Sequence, residues 1–291
     1  MENQNDEKSQ TVDVERALME KSPKLYKIIP SFVIKFLKKI IHQDEINKIL
    51  EKFKTEKGLK FIQSGLEEMG VKTTSIGLEN LPENETVIIV SNHPLGGLDG
   101  VAILQEIGKI RNDIHIMVND ILMQIKNFEP LFVPVNKHGV NSRENLTFIE
   151  SLYSSNKCVI LFPAGLVSRK QGKEIKDLEW KKSFITQSIK HKKNIIPVFT
   201  EGVNSKKFYR IALWRKKLGI KINIEMLFLA DEMFKQKGNT IHFKIGKAIS
   251  WETFNETNSH KEWAQKVKNH VYALKNNNEK YFLPTIDQIN G

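Results

Sequence analysis

A single cysteine among 291 residues leaves nothing to pair it with, so a disulfide framework is excluded. That residue, Cys158, sits in the apolar run Cys158-Val159-Ile160-Leu161-Phe162, and a buried lone thiol fits a reducing compartment. No apolar run approaches the ~20 residues needed to span a bilayer. The first twenty residues are polar and mostly acidic, unlike a secretory signal. These absences predict a cytoplasmic chain that does not cross a membrane. Several catalytic signatures are missing too. Without G-x-S-x-G there is no serine nucleophile turn, and without G-x-x-x-x-G-K-[ST] or G-x-G-x-x-G there is no familiar phosphate cradle. H-E-x-x-H is absent, and one cysteine cannot build a thiolate metal site. Neither a metal nor a resident cofactor is expected.

Positive charge, by contrast, is plentiful: 45 Lys and Arg against 34 Asp and Glu give a formal net charge of +11. That excess implies an anionic partner, whether nucleic acid, a phospholipid surface or a phosphorylated substrate. Residues 21–60 hold eleven lysines against four acids, and residues 205–221 hold seven basic residues and no acid. In the second segment Phe208, Tyr209 and Trp214 lie among the charges. Either run also fits an ordinary solvated face. Aromatics among basic residues suit a bilayer interface or the backbone of a single-stranded nucleic acid. No recognised nucleic-acid motif accompanies them, so nucleic acid is not the expected partner.

Three regions follow from the patterning. Residues 1–20 read as a flexible tail. Residues 21–70 read as helical. There Phe32, Val33, Phe36, Leu37, Ile40 and Ile41 form one broad apolar face beside Lys35, Lys38 and Lys39. Such a helix fits a membrane interface, and equally a helix packed on the main body. Residues 44–70 read as its helical continuation. From residue 71 to 291 short β-branched runs alternate with helical stretches, which predicts an α/β domain with a mostly parallel sheet. The strand candidates are 86–92, 113–118, 131–135, 157–163, 194–199 and 240–246. Helical periodicity marks 99–110, 142–155, 180–193 and 259–276.

Three polar clusters follow strands: Ser91 to Gly100, Pro163 to Lys170 and Thr200 to Lys207. In open parallel sheets ligands sit outside the carboxyl ends of strands, so these turns are candidates for one site. His93 stands six residues before Asp99. On a regular helix the two would point about 120° apart, but Pro94 and the Gly96-Gly97 pair permit a loop that folds Asp99 back. A histidine titrates near working pH and suits a general base, and a carboxylate fixes its tautomer. Asp99 also fits a plain helix N-cap, and His93 alone fits an ordinary turn. As metal ligands the pair lacks a third partner nearby.

The blocks Asn92-His93-Pro94-Leu95-Gly96-Gly97-Leu98-Asp99, Phe162-Pro163-Ala164-Gly165-Leu166-Val167-Ser168-Arg169 and Ile195-Ile196-Pro197-Val198-Phe199 occur in this order. Together they resemble the glycerolipid acyltransferase family of lysophosphatidic acid acyltransferase type, over roughly residues 75 to 250. That family carries N-H-x-x-x-x-D, F-P-E-G-T-R-S and a late V-P-V strand. The resemblance implies a mostly parallel central sheet flanked by helices, working on the inner membrane face. It implies transfer of a fatty acyl chain from acyl-CoA or acyl carrier protein, as co-substrate, to a lysolipid hydroxyl. His93 becomes the general base and Asp99 its orienting partner. Asn92, Phe162, Pro163, Gly165, Arg169 and Lys170 become acceptor-site elements, the two cations facing a phosphate or carboxylate. Backbone N–H groups around Gly96, Gly97 or Gly165 are candidates for the oxyanion.

The chain departs from the pattern in three places. Five residues, not four, separate His93 from Asp99; Ala164 replaces the glutamate and Arg169 is displaced along its turn; Asn136, beside Lys137, stands where the family commonly has arginine. The latter two changes weaken a glycerol-phosphate acceptor. The stretch from Asn92 to Gly100 together with that from Phe162 to Arg169 resembles the hemolysin-named, ornithine- and glycine-lipid branch, whose acceptors are lyso-amino-acid lipids. A 1-acylglycerol-3-phosphate acyltransferase is the alternative within the family. A basic nucleic-acid-binding protein, or an inactive membrane-binding relative, is the alternative outside it. The expected partners are an anionic membrane surface, the acyl donor and the lysolipid.

Overall fold

The computed structural model describes residues 11–135, 143–276 and 281–283. Five helices come first: α1 (Val14–Lys21), α2 (Pro23–Ile28), α3 (Ser31–Ile41), α4 (Gln43–Lys52) and α5 (Gly58–Glu68). Strands and helices then alternate: β1 (Lys72–Ile76), β2 (Val87–Ser91), α6 (Gly97–Ile107), β3 (Ile114–Asn119), β4 (Phe132–Val135), α7 (Arg143–Ser154) and β5 (Cys158–Leu161). A short hairpin, β6 (Arg169–Gln171) and β7 (Glu174–Lys176), leads to α8 (Ser183–His191), β8 (Asn194–Thr200), α9 (Lys206–Lys217), α10 (Leu229–Phe234), β9 (Thr240–Ile245) and α11 (His260–Ala273).

The expected mostly parallel sheet is there. Seven strands run in the order β1-β9-β8-β2-β5-β3-β4, and the one antiparallel junction is β8 with β9. β2 lies at the centre with all five residues buried, as a strand covered on both faces must be. Its alternation shows how. Val87 and Ile89 join the core under α5 and α6, while Ile88 and Val90 join the opposite core under α8 and α11. Cys158 and Ile160 of β5 share the first face, Val159 and Leu161 the second.

Connectivity locates the functional rim. After β2 the chain crosses through α6 to β3, on the far side of β5; after β5 it crosses through α8 to β8, on the far side of β2. The two connections leave in opposite directions over opposite faces. The gap between the carboxyl ends of β2 and β5 is therefore a topological switch point, where such sheets bind ligands.

Two expectations need correcting, and two further elements carry no sequence signal. Residues 14–21 are helical rather than tail, because Asp13 caps α1 by accepting from the Glu15 and Arg16 N–H groups. The 44–70 helix is broken at residues 53–57, where Gly58 turns the chain with φ +59°. β1 was overlooked because Lys72-Thr73-Thr74-Ser75-Ile76 is an edge strand with little apolar content. β6 and β7, three residues each, are too short to show a period. In α3 the apolar face is divided. Ile40 is buried, as is Ile34 outside that face, whereas Phe32 and Phe36 remain exposed, at 71% and 49%. Among the described residues no helix is long and apolar enough to cross a membrane.

Candidate active site

The site starts where β2 stops. Asn92 has its amide engaged at both ends: Nδ2 donates to the Thr200 carbonyl at 2.9 Å and Oδ1 accepts from the Thr200 N–H at 2.7 Å. Its side chain thus continues the β2–β8 pairing one residue past the strand. This corrects the reading of Asn92 as a substrate contact: it is a strut. The adjoining Ser91 and Thr200 hydroxyls bond each other at 2.9 Å.

Beyond this strut the chain turns, and His93 faces Asp99. His93 Nδ1 lies 3.0 Å from Asp99 Oδ2, which also accepts from the Leu95 N–H at 2.8 Å and the Gly96 N–H at 3.1 Å. With two backbone donors on it, Oδ2 is an acceptor, so the proton on Nδ1 belongs to the imidazole and the lone pair sits on Nε2. Nε2 has no hydrogen-bond partner among the described residues. The N-cap of α6 is Gly96, not Asp99 as the sequence suggests; Asp99 is the third helical residue, and its side chain accepts the Gly96 N–H, so it both closes the helix start and partners the histidine. It is fully buried. Burial pushes its carboxyl above the ordinary value, against the pull of His93 and the two N–H groups.

Gly96 makes the turn possible. Its φ is +79°, and a Cβ there would stand 3.0 Å from Leu229 and 3.3 Å from Val167. Gly97 differs: a Cβ there would meet nothing within 4 Å. The three oxyanion candidates now separate. The Gly96 N–H is held by Asp99, and the Gly165 N–H closes a turn on the Phe162 carbonyl at 2.9 Å. The Gly97 N–H, in the first turn of α6, has no partner among the described residues, and Gly97 itself is exposed.

The second block arrives from β5. Phe162 stacks on the His93 ring with centroids 4.1 Å apart and planes 21° from parallel. Pro163 and Ala164 are buried; Ala164 belongs to the core beneath the sheet, where a glutamate would be stranded. Lys170 is exposed on β6. Arg169 departs from expectation. Its guanidinium bonds Glu225 Oε1 at 2.9 Å and the Val167 carbonyl at 2.6 Å, and lies over Phe208. Glu225, fully buried, also pairs with Arg215 at 2.9 Å. Arg169 is a buried tie between β6 and the segment 224–228, not a free acceptor cation. The expectation failed because nothing in the local sequence announces a partner 56 residues away.

The three strand-end clusters do converge. Ser168 N–H donates to the His93 carbonyl at 2.7 Å, and Asn204 Nδ2 donates to the Pro94 carbonyl at 3.1 Å. Sequence reasoning missed the residue that fastens them. Asp177, fully buried, accepts from the His93 backbone N–H at 3.2 Å, the Ser168 hydroxyl at 2.6 Å and Trp180 Nε1 at 2.9 Å. The one available signal was an acid within a lysine-rich turn. Asn136 and Lys137 lie outside the described residues. Among the described residues no three His, Cys, Asp or Glu side chains gather as a metal site would require.

A buried carboxylate, an imidazole with one open nitrogen and an unpaired N–H at a helix start are parts suited to moving a proton from a hydroxyl while an oxyanion forms. Comparison with known proteins gives the family. A family model described as acyltransferase matches residues 16–280. A lyso-glycine lipid O-acyltransferase of Phocaeicola vulgatus is 47% identical over 264 residues, 90% of this chain and 95% of that protein. The Bacteroides thetaiotaomicron protein of the same name is 44% identical over 264 residues, 90% of this chain and 97% of its own. The crystal structure of PlsC, the 1-acyl-sn-glycerophosphate (LPA) acyltransferase of Thermotoga maritima, superposes with a TM-score of 0.42 at 17% identity, covering 86% of this chain and 95% of that one.

Proposed function

The chain belongs to the acyltransferase family and is an acyltransferase, and we propose that it moves a fatty acyl chain from acyl-CoA or acyl carrier protein to the hydroxyl of a lyso-glycine lipid. Two observations support the acceptor class: the shared name of the two relatives, and Ala164 and the buried Arg169 in the block where the family binds phosphate.

The observation that carries the chemistry is the His93–Asp99 pair with Nε2 left open. The acceptor hydroxyl approaches Nε2. Its oxygen attacks the thioester carbonyl as its proton passes to Nε2, with Asp99 stabilising the imidazolium. The carbonyl oxygen becomes an oxyanion, and the unpaired Gly97 N–H at the positive end of α6 receives it. Collapse of the tetrahedral species breaks the carbon–sulfur bond. The thiolate takes the proton back from His93, releasing a free thiol and the ester. No acyl-enzyme forms.

The reaction takes place, on this reading, at the inner face of a membrane. Two remote segments supply one exposed surface. Ile28, Phe32 and Phe36 come from α2 and α3; Trp214, Leu218, Ile222 and Leu227 come from α9 and the chain after it. The short turn Ile224–Phe228 packs against both α3 and α9, and Phe36 meets Phe228 edge-on. Beside the exposed apolar groups a groove of about 260 Å³ is lined by Lys207, Arg210, Trp214, Arg215, Leu218 and Ile224. Cations around exposed aromatics are what an anionic bilayer surface attracts.

The test is a panel of acceptors with purified enzyme and a radiolabelled acyl thioester. Lyso-glycine lipid is acylated faster than lysophosphatidic acid if the reading holds. Preference for lysophosphatidic acid, or no acylation of either, overturns it.

A further inference from the structure

Glycine joined to a fatty chain through its nitrogen keeps one free carboxylate, and the site needs a cation to receive it. Arg169 is taken by Glu225. We propose that Lys181 reads the acceptor carboxylate, its ammonium standing by the Gly165 turn that starts from Phe162, the residue stacked on His93; this rests on the acceptor reading above.

Three linked contacts place it. Lys181 is anchored by its backbone N–H, which donates to the Pro163 carbonyl at 3.0 Å. Its Nζ lies 3.5 Å from where a Cβ on Gly165 would sit. Gly165, with φ +66°, has no side chain to come between the ammonium and the turn. That turn begins at Phe162, whose ring lies 4.1 Å from the imidazole, centroid to centroid. The ammonium thus stands at one end of a four-residue turn whose other end, Phe162, stacks on the proposed base.

The ammonium is exposed and has neither an ion pair nor a hydrogen bond among the described residues. Lys170, the exposed cation on β6, makes no hydrogen bond or ion pair to the turn or to His93 among the described residues. Two residues after Lys181 helix α8 begins, with no side-chain cap and no acid in its first turn. Its positive end reinforces the potential around the ammonium. A single ammonium also suits the acceptor's charge. Carboxylates carry one negative charge, while phosphate monoesters reward the paired donors of a free guanidinium, which this block does not offer.

The experiment compares two acceptors, a lyso-glycine lipid and its carboxyl methyl ester, on wild type, Lys181→Ala, Lys181→Arg and Lys181→Glu. The readout is the ratio of kcat/KM for acid over ester. Because the ratio compares acceptors on one sample, any loss of folded enzyme cancels. Lys181→Ala lowers the ratio about tenfold or more, the scale of a hydrogen bond between charged groups; Lys181→Arg restores most of it and Lys181→Glu lowers it further. An unchanged ratio in Lys181→Ala, or one that Lys181→Arg fails to restore, overturns the assignment while leaving the acceptor reading intact. A wild type that acylates neither compound overturns the acceptor reading, and the assignment with it.

Discussion

Asp99 Oδ2 holds the His93 imidazole at 3.0 Å with the same oxygen that accepts the Leu95 and Gly96 N–H groups. One atom therefore starts helix α6 and fixes the tautomer of the proposed base. Any disturbance of the helix start moves the imidazole, and the two functions cannot drift apart.

This double duty has a pH signature. Burial holds the Asp99 carboxyl above its ordinary value, so the folded protein binds that proton more tightly than the unfolded chain. The stability it contributes is fully present below the unfolded pKa of about 4 and is lost as pH rises through the folded pKa. Asp99→Asn removes the titration. The stability of wild type relative to Asp99→Asn, from urea unfolding across acid to neutral pH, falls as pH rises. A difference that grows with pH contradicts the raised carboxyl.

Gly96 and Gly97 separate fold from chemistry. Gly96→Ala places a methyl 3.0 Å from Leu229 at a positive φ, and costs about 1–3 kcal/mol of stability. Gly97→Ala meets nothing within 4 Å and leaves thermal stability unchanged or slightly raised. The added methyl stands on the residue whose N–H is the proposed oxyanion donor, so kcat falls all the same. Calorimetry and steady-state rates on the two variants check both halves.

Arg169 is expected to matter for folding. Arg169→Ala leaves Glu225 buried with only Arg215 as partner. The loss falls toward the lower end of the ~3–5 kcal/mol seen when a buried pair is broken. Chemical denaturation shows this loss, while KM for the acceptor, measured on the folded fraction, stays near wild type. A large rise in KM with unaltered stability would return Arg169 to the acceptor site.

The exposed aromatic surface predicts salt-sensitive attachment to anionic vesicles. Phe32→Ser and Trp214→Ser each weaken sedimentation with such vesicles. Lys207→Ala and Arg210→Ala flatten the salt dependence, each removing about 1 kcal/mol of surface attraction. Equal binding to neutral and anionic vesicles contradicts this surface assignment.

Much of the fold was readable because its strands are buried. Val87-Ile88-Ile89-Val90 and Cys158-Val159-Ile160-Leu161 are continuous apolar runs, and only a two-sided core calls for them. The His93–Asp99 contact was readable through the loop residues between them, since Gly96 has the positive φ that folds the carboxylate back. What stayed hidden depends on long-range partners. Arg169 looked free until Glu225 closed on it, and Asp177 stood out only as an acid in a lysine-rich turn, not as the tie between the His93 backbone and the hairpin. Edge strand β1 escaped because a strand with one open side needs few apolar residues.

The most direct measurement is the single-turnover rate of acyl transfer to lyso-glycine lipid by His93→Ala, with folding verified by its unfolding transition. The account predicts a fall of about 10²–10⁴-fold, the usual contribution of a general base. Turnover at the wild-type rate by a folded His93→Ala protein would contradict it.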